Sequence, residues 1–137
     1  MDNFYKYEFY HSTLWIENGI LFSKCKQGLV INVEVAFDMM RDRKMVSQGI
    51  YRPFFIDITG LSSVNEAARN YMASTEAAEF ISAGAIYTTN TLAKIIGMAF
   101  KLLDEPKAPV KVFTNKEDAL SWLETFKDVS YSASSGK

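Results

Sequence analysis

The spacing of hydrophobic positions changes several times along the chain, and each change marks an element. Tyr5, Tyr7 and Phe9 alternate with Lys6 and Glu8, which predicts a strand with one buried face. Two β-prone apolar runs then flank Asn18-Gly19. Asn and Gly tolerate the positive φ of a type I′ turn, so residues 14–22 read as a hairpin. From Asn32 the period lengthens: Val33, Ala36, Phe37 and Met40 recur at helical spacing, with Glu34, Asp38, Arg41 and Asp42 mostly on the other side. This predicts an amphipathic helix that ends before Gly49.

Residues 52–60 form a short apolar run closed by a turn, as expected of a buried central strand. Ser63 and Glu66 have the spacing of a capping box, so a helix is expected over 64–72. Ser74 and Thr75 restart or kink it, and Ala77, Ala78, Phe80 and Ile81 extend its apolar face up to Gly84. Residues 85–88 predict a strand. Leu92, Ile95, Ile96, Ala99, Leu102 and Leu103 make a helical stripe that Pro106 and Pro109 stop. Residues 110–113 are a last strand, and Thr114 with Glu117 suggests a second capping box. That box opens a helix burying Ala119, Leu120, Trp122, Leu123 and Phe126.

This order predicts an α/β domain: a mixed, mostly parallel sheet with an N-terminal β-hairpin and helices packed against it. Residues 1–129 are expected to form a single domain, and the polar residues 130–137 a disordered tail. At 137 residues the chain can bury a core without disulfides or metal. A formal net charge of −1 provides no basic field for a phosphate backbone, so nucleic acid is not an expected partner. Cys25 is the only cysteine, which rules out an intrachain disulfide and suits a reducing compartment. The N-terminus lacks a signal-peptide pattern, and no apolar run nears the ~20 residues that span a bilayer. A cytoplasmic protein without stable membrane insertion is expected.

The hairpin, followed by residues 55–61, 68–73 and 112–123, resembles the SpoIIAA-like members of the STAS superfamily, in particular a bacterial group of small uncharacterised domains. The resemblance covers about residues 12–126 and rests on short, mostly structural motifs. It implies a STAS-like fold and binding to a regulatory protein. Anti-sigma factor antagonists of this superfamily are switched by phosphorylation of a serine in an Asp-Ser-Ser-Gly motif at a helix start. Asp57-Ile58-Thr59 matches the strand end that precedes this motif, but the motif position reads Asn65-Glu66-Ala67-Ala68, so the phospho-acceptor serine is missing. Glu66 would be a fixed negative charge there. More simply, it completes the capping box with Ser63.

Candidate chemistry is sparse. His11 is the only histidine, and a dyad with Cys25 would need both side chains on one face beside an oxyanion hole. The carboxylate pairs Glu34/Asp38, Asp104/Glu105 and Glu117/Asp118 read as solvated surface. The carboxyl ends of the strands carry Asp57, Thr59, Thr88, Thr89, Asn90, Thr114 and Asn115, where an open parallel sheet binds ligands. Asn65, Glu66 and Arg69 complete this candidate interaction or ligand site, although helix caps alone would account for most of these residue types. The N-terminal aromatics Tyr5, Tyr7, Phe9, Tyr10, Trp15 and Phe22 are either core or the surface of a homodimer or partner. The expected function is a non-catalytic regulatory or scaffolding interaction module that needs no cofactor or metal. The alternative is a small-ligand or lipid carrier of SEC14-like type, which calls for an apolar pocket of about 300 Å³ or more between helix and sheet.

Overall fold

A computed structural model describes residues 4–127. The residues expected to form a polar tail, 130–137, lie outside the described residues. Strand β1 is Tyr7–Glu8, β2 is Ser12–Glu17 and β3 is Ile20–Cys25. Strands β2 and β3 form the hairpin, with Asn18 at φ 56° and Gly19 at φ 81° as its turn requires. The alternation over residues 5–9 overstates its strand, since β1 has two residues and both are exposed. Its expected buried face is missing, since Tyr5 and Tyr7 are exposed and only Phe9 is half-buried.

Strand β4 (Leu29–Ile31) leads into helix α1 (Val33–Ser47), which is capped by the Asn32 side chain accepting from Val35 N. Strand β5 (Arg52–Asp57) and strand β6 (Leu61–Val64) precede helices α2 (Glu66–Met72) and α3 (Thr75–Ala78). Strand β7 (Ile81–Tyr87), helix α4 (Thr91–Leu103), strand β8 (Val110–Phe113) and helix α5 (Lys116–Glu124) complete the domain. The six-stranded sheet runs β1-β2-β3-β5-β7-β8, antiparallel across β1–β3 and parallel from β3 to β8. Strands β4 and β6 form a separate parallel pair.

Helix α5 covers one face of the large sheet, packing Ala119 and Leu123 on Phe22, Phe55, Ala83 and Ala85. Aromatic rings step across this face from Trp15 to Phe22 (5.2 Å between centroids), Phe55 (5.1 Å) and Tyr87 (5.4 Å). Successive strands place them side by side at spacings favourable for rings. Helices α1 to α4 cover the opposite face.

Local sequence signals misplace several boundaries. Ser63 lies in β6, paired with β4, and the α2 cap is Asn65, whose side chain accepts from Ala68 N at 2.9 Å. The Ser63/Glu66 capping box therefore does not form. Helix α3 ends at Ala78, and Phe80, at φ 70°, turns the chain into β7. The helical reading up to Gly84 fails because that glycine lies inside a strand buried on both faces. Asn115, not Thr114, caps α5 by accepting from Asp118 N.

Two helices are rotated from their expected settings. On α1, Asp42 and Arg43 are buried while Phe37 is exposed. The Arg43 guanidinium donates to the carbonyls of Ala77 (2.8 Å) and Glu79 (2.9 Å), a demand from the end of α3 that the helical period cannot reveal. On α4, the residues buried against the sheet are Ala93 and Gly97. A Cβ at Gly97 would stand 3.1 Å from Ile86 Cγ2, so the helix approaches closely there.

Candidate functional site

At the carboxyl ends of β5 and β7 the structure joins five of the sequence-predicted site residues. Asp57 Oδ1 accepts from Thr59 N at 2.9 Å, and Thr59 Oγ1 accepts from Thr89 N at 3.4 Å. Asn90 Nδ2 donates to the Thr59 carbonyl at 3.4 Å, and Asn90 N donates to buried Thr88 Oγ1 at 2.9 Å. Asn90 Oδ1 also caps α4, accepting from Leu92 N and Ala93 N. These groups are taken up by turns and a cap, which leaves little to hold a ligand.

The remaining predicted residues do not join this cluster. Asn65 is occupied as the α2 cap, and Glu66 stands exposed in the first turn of α2. Arg69 Nε donates to Asp104 Oδ2 at 3.0 Å, tying α2 to the end of α4. Thr114 is exposed beyond β8. His11 meets Asp38 of α1 at 3.3 Å rather than Cys25. Burial pushes the Cys25 thiol up to about 11, so it is protonated near neutral pH and a poor nucleophile.

Two features were not located by the sequence, although its alternative reading called for an apolar pocket between helix and sheet. The first is a cavity of about 190 Å³ between the helical layer and the sheet. The sheet contributes Leu14, Phe54, Ile56 and Ile86, and the helices contribute Met40, Met72 and Ile96. The charged residues around it are Arg43, Arg69, Lys107 and Asp57. Periodicity marks each of these apolar positions as inward-facing but says nothing of how completely they fill the space between layers.

The second is the outer face of α4. Leu92 (58%), Ile95 (61%), Leu102 (63%) and Leu103 (73%) are exposed, with Met98 beside them. Leu92, Ile95, Leu102 and Leu103 belong to the helical stripe read from the sequence. An apolar helix reveals its stripe but not which side meets the sheet; the spacing of Ala93 and Gly97 was the available signal. By contrast, the N-terminal aromatics divide: Phe22 is buried, Trp15 and Phe9 are half-buried, and Tyr5, Tyr7 and Tyr10 are exposed.

Among the described residues, no three His, Cys, Asp or Glu side chains group as metal ligands would, and no helix is long and apolar enough to cross a membrane. No curated protein matches the sequence. A solved structure does match: an uncharacterized DUF3478 family protein with a SpoIIAA-like fold from Shewanella loihica PV-4, 20% identical, TM-score 0.54, covering 88% of this chain and 92% of that one. The expected SpoIIAA-like fold is thus the one the chain adopts. A family model described as Domain of unknown function (DUF7793) matches residues 14–127, and the chain belongs to that family.

Proposed function

We propose that this domain is a non-catalytic interaction module that docks a regulatory or scaffolding protein partner on the outer face of α4. The carrying observation is the run of exposed Leu92, Ile95, Leu102 and Leu103 on a helix that already satisfies the sheet through Ala93 and Gly97. A contiguous apolar helix face in water is costly and characteristically marks an interaction site. Lys94 and Lys101, two turns apart, line one edge of it, and neither has a protein partner among the described residues. The complementary surface is an apolar ridge or groove with one acidic flank. A second copy docking antiparallel through the same helix would bring the two lysine edges together, whereas a different protein with an acidic edge complements them. A homodimer through the N-terminal aromatics has a smaller basis, because Phe22 and much of Trp15 are committed to the ring ladder.

A photo-crosslinking amino acid at Ile95 tests this in cells. It is expected to form one discrete adduct with a different protein, whereas the same group at exposed Thr114 forms none. Adducts only with itself or with lipid would overturn the reading.

The cavity favours a second reading, that of a small-ligand site. At about 190 Å³ it falls short of the pocket of about 300 Å³ expected of a small-ligand or lipid carrier, but an apolar cavity of about 150 Å³ is enough to bind benzene.

A further inference from the structure

Resting on the small-ligand reading, we infer that the cavity takes a short amphipathic carboxylate, with its chain against the sheet and its head at a cationic end. The charges around the cavity are unevenly placed. Arg43 belongs to the C-terminal half of α1, Lys107 precedes β8, and Arg69 is fastened to Asp104 just beyond α4. These helices run back against the parallel strands, so Arg43, Lys107 and the Arg69–Asp104 pair lie toward the end where β7 and β8 begin. Asp57, the only carboxylate lining the cavity among the described residues, is the last residue of β5 and belongs to the opposite end.

The cations are also undercompensated. Arg43 is 4% exposed, both its hydrogen bonds go to neutral carbonyls, and among the described residues no carboxylate lies within ion-pairing distance, Glu79 acting on it only from farther away. Buried charges are normally paired, so a guanidinium with no directly bonded carboxylate beside an apolar cavity suits an anionic head. Asp104 engages Arg69 through Nε, and the two Nη groups have no other protein partner among the described residues. Lys107 is exposed and without a partner among the described residues. The remaining lining is apolar, including Ile56, Ile86, Ile96 and Phe100. By comparison with a benzene-sized cavity, it accommodates roughly six to ten heavy atoms.

Octanoate and octanol, titrated in parallel into the full chain, separate chain recognition from head recognition. Methyl NMR shifts of Leu14, Ile86 and Ile96 provide the readout. Saturable shifts with octanoate are expected, at least threefold tighter than with octanol. Lys107→Glu, at an exposed position that leaves the fold intact, is expected to weaken octanoate about threefold or more and leave octanol unchanged. Ala78→Phe, which fills the cavity lining, is expected to abolish both. Equal binding of the two probes, or no effect of Lys107→Glu, would overturn the anionic head while leaving the small-ligand reading in place. Absence of saturable shifts with either probe would overturn both.

Discussion

Cys25 closes β3 with its thiol against the cavity, and its setting predicts both reactivity and pH dependence. Its folded value of about 11 exceeds the ordinary 9.0 because burial penalises the thiolate. As pH rises past 9, the unfolded chain releases this proton first, so the unfolded state binds fewer protons and stability falls. Chemical denaturation from pH 8 to 11 should show the decline beginning near pH 9 in the native protein and reduced in Cys25→Ala. A thiol-specific reagent should likewise label Cys25 far more slowly in the folded chain than in denaturant. Gly60 carries a different constraint. A Cβ there would lie 3.0 Å from both Gln27 Cα and Lys26 O, and backbone atoms yield little. Gly60→Ala should therefore lose about 1–3 kcal/mol in urea unfolding, without altering the fold.

At the scale of elements, the strongest local signals were those that no distant contact could override. Asn18-Gly19 specifies its hairpin because the turn geometry is contained in two residues. Asn32 and Ser74 likewise stand at the helix starts expected near them. The start of α2 was ambiguous, since Ser63 and Asn65 are comparably good caps and only pairing of β6 with β4 decides between them. Asn65→Ala is expected to cost about 1 kcal/mol in thermal or urea unfolding, whereas Ser63→Ala stays within about 0.5 kcal/mol. A larger loss from Ser63→Ala than from Asn65→Ala would restore the capping box. The candidate site was legible only in part for the same reason. Asp57, Thr59, Thr88 and Asn90 do converge at the strand ends, but their hydrogen bonds serve the loops themselves. The setting of α4 and the buried guanidinium of Arg43 depend on close approach and on another helix's carbonyls, neither of which has a periodicity.

Across the whole molecule, the two sheet faces are finished differently. The face under α5 is filled by stacked rings, whereas the face under α1 to α4 retains a cavity. The helix beside that cavity turns Ile96 and Phe100 toward it and carries Leu92, Ile95, Leu102 and Leu103 outward. The fold is thus complete without Ile95 and Leu102, and replacing both with Glu should leave the melting temperature of the isolated domain nearly unchanged while removing its docking surface. Native mass spectrometry of the domain isolated gently from its own cells, beside the Ile95→Glu/Leu102→Glu variant, tests this most directly. The account predicts a different protein bound at fixed stoichiometry to the wild type and absent from the folded variant. The same masses for both proteins, or a wild type that carries only a second copy of itself, would contradict it.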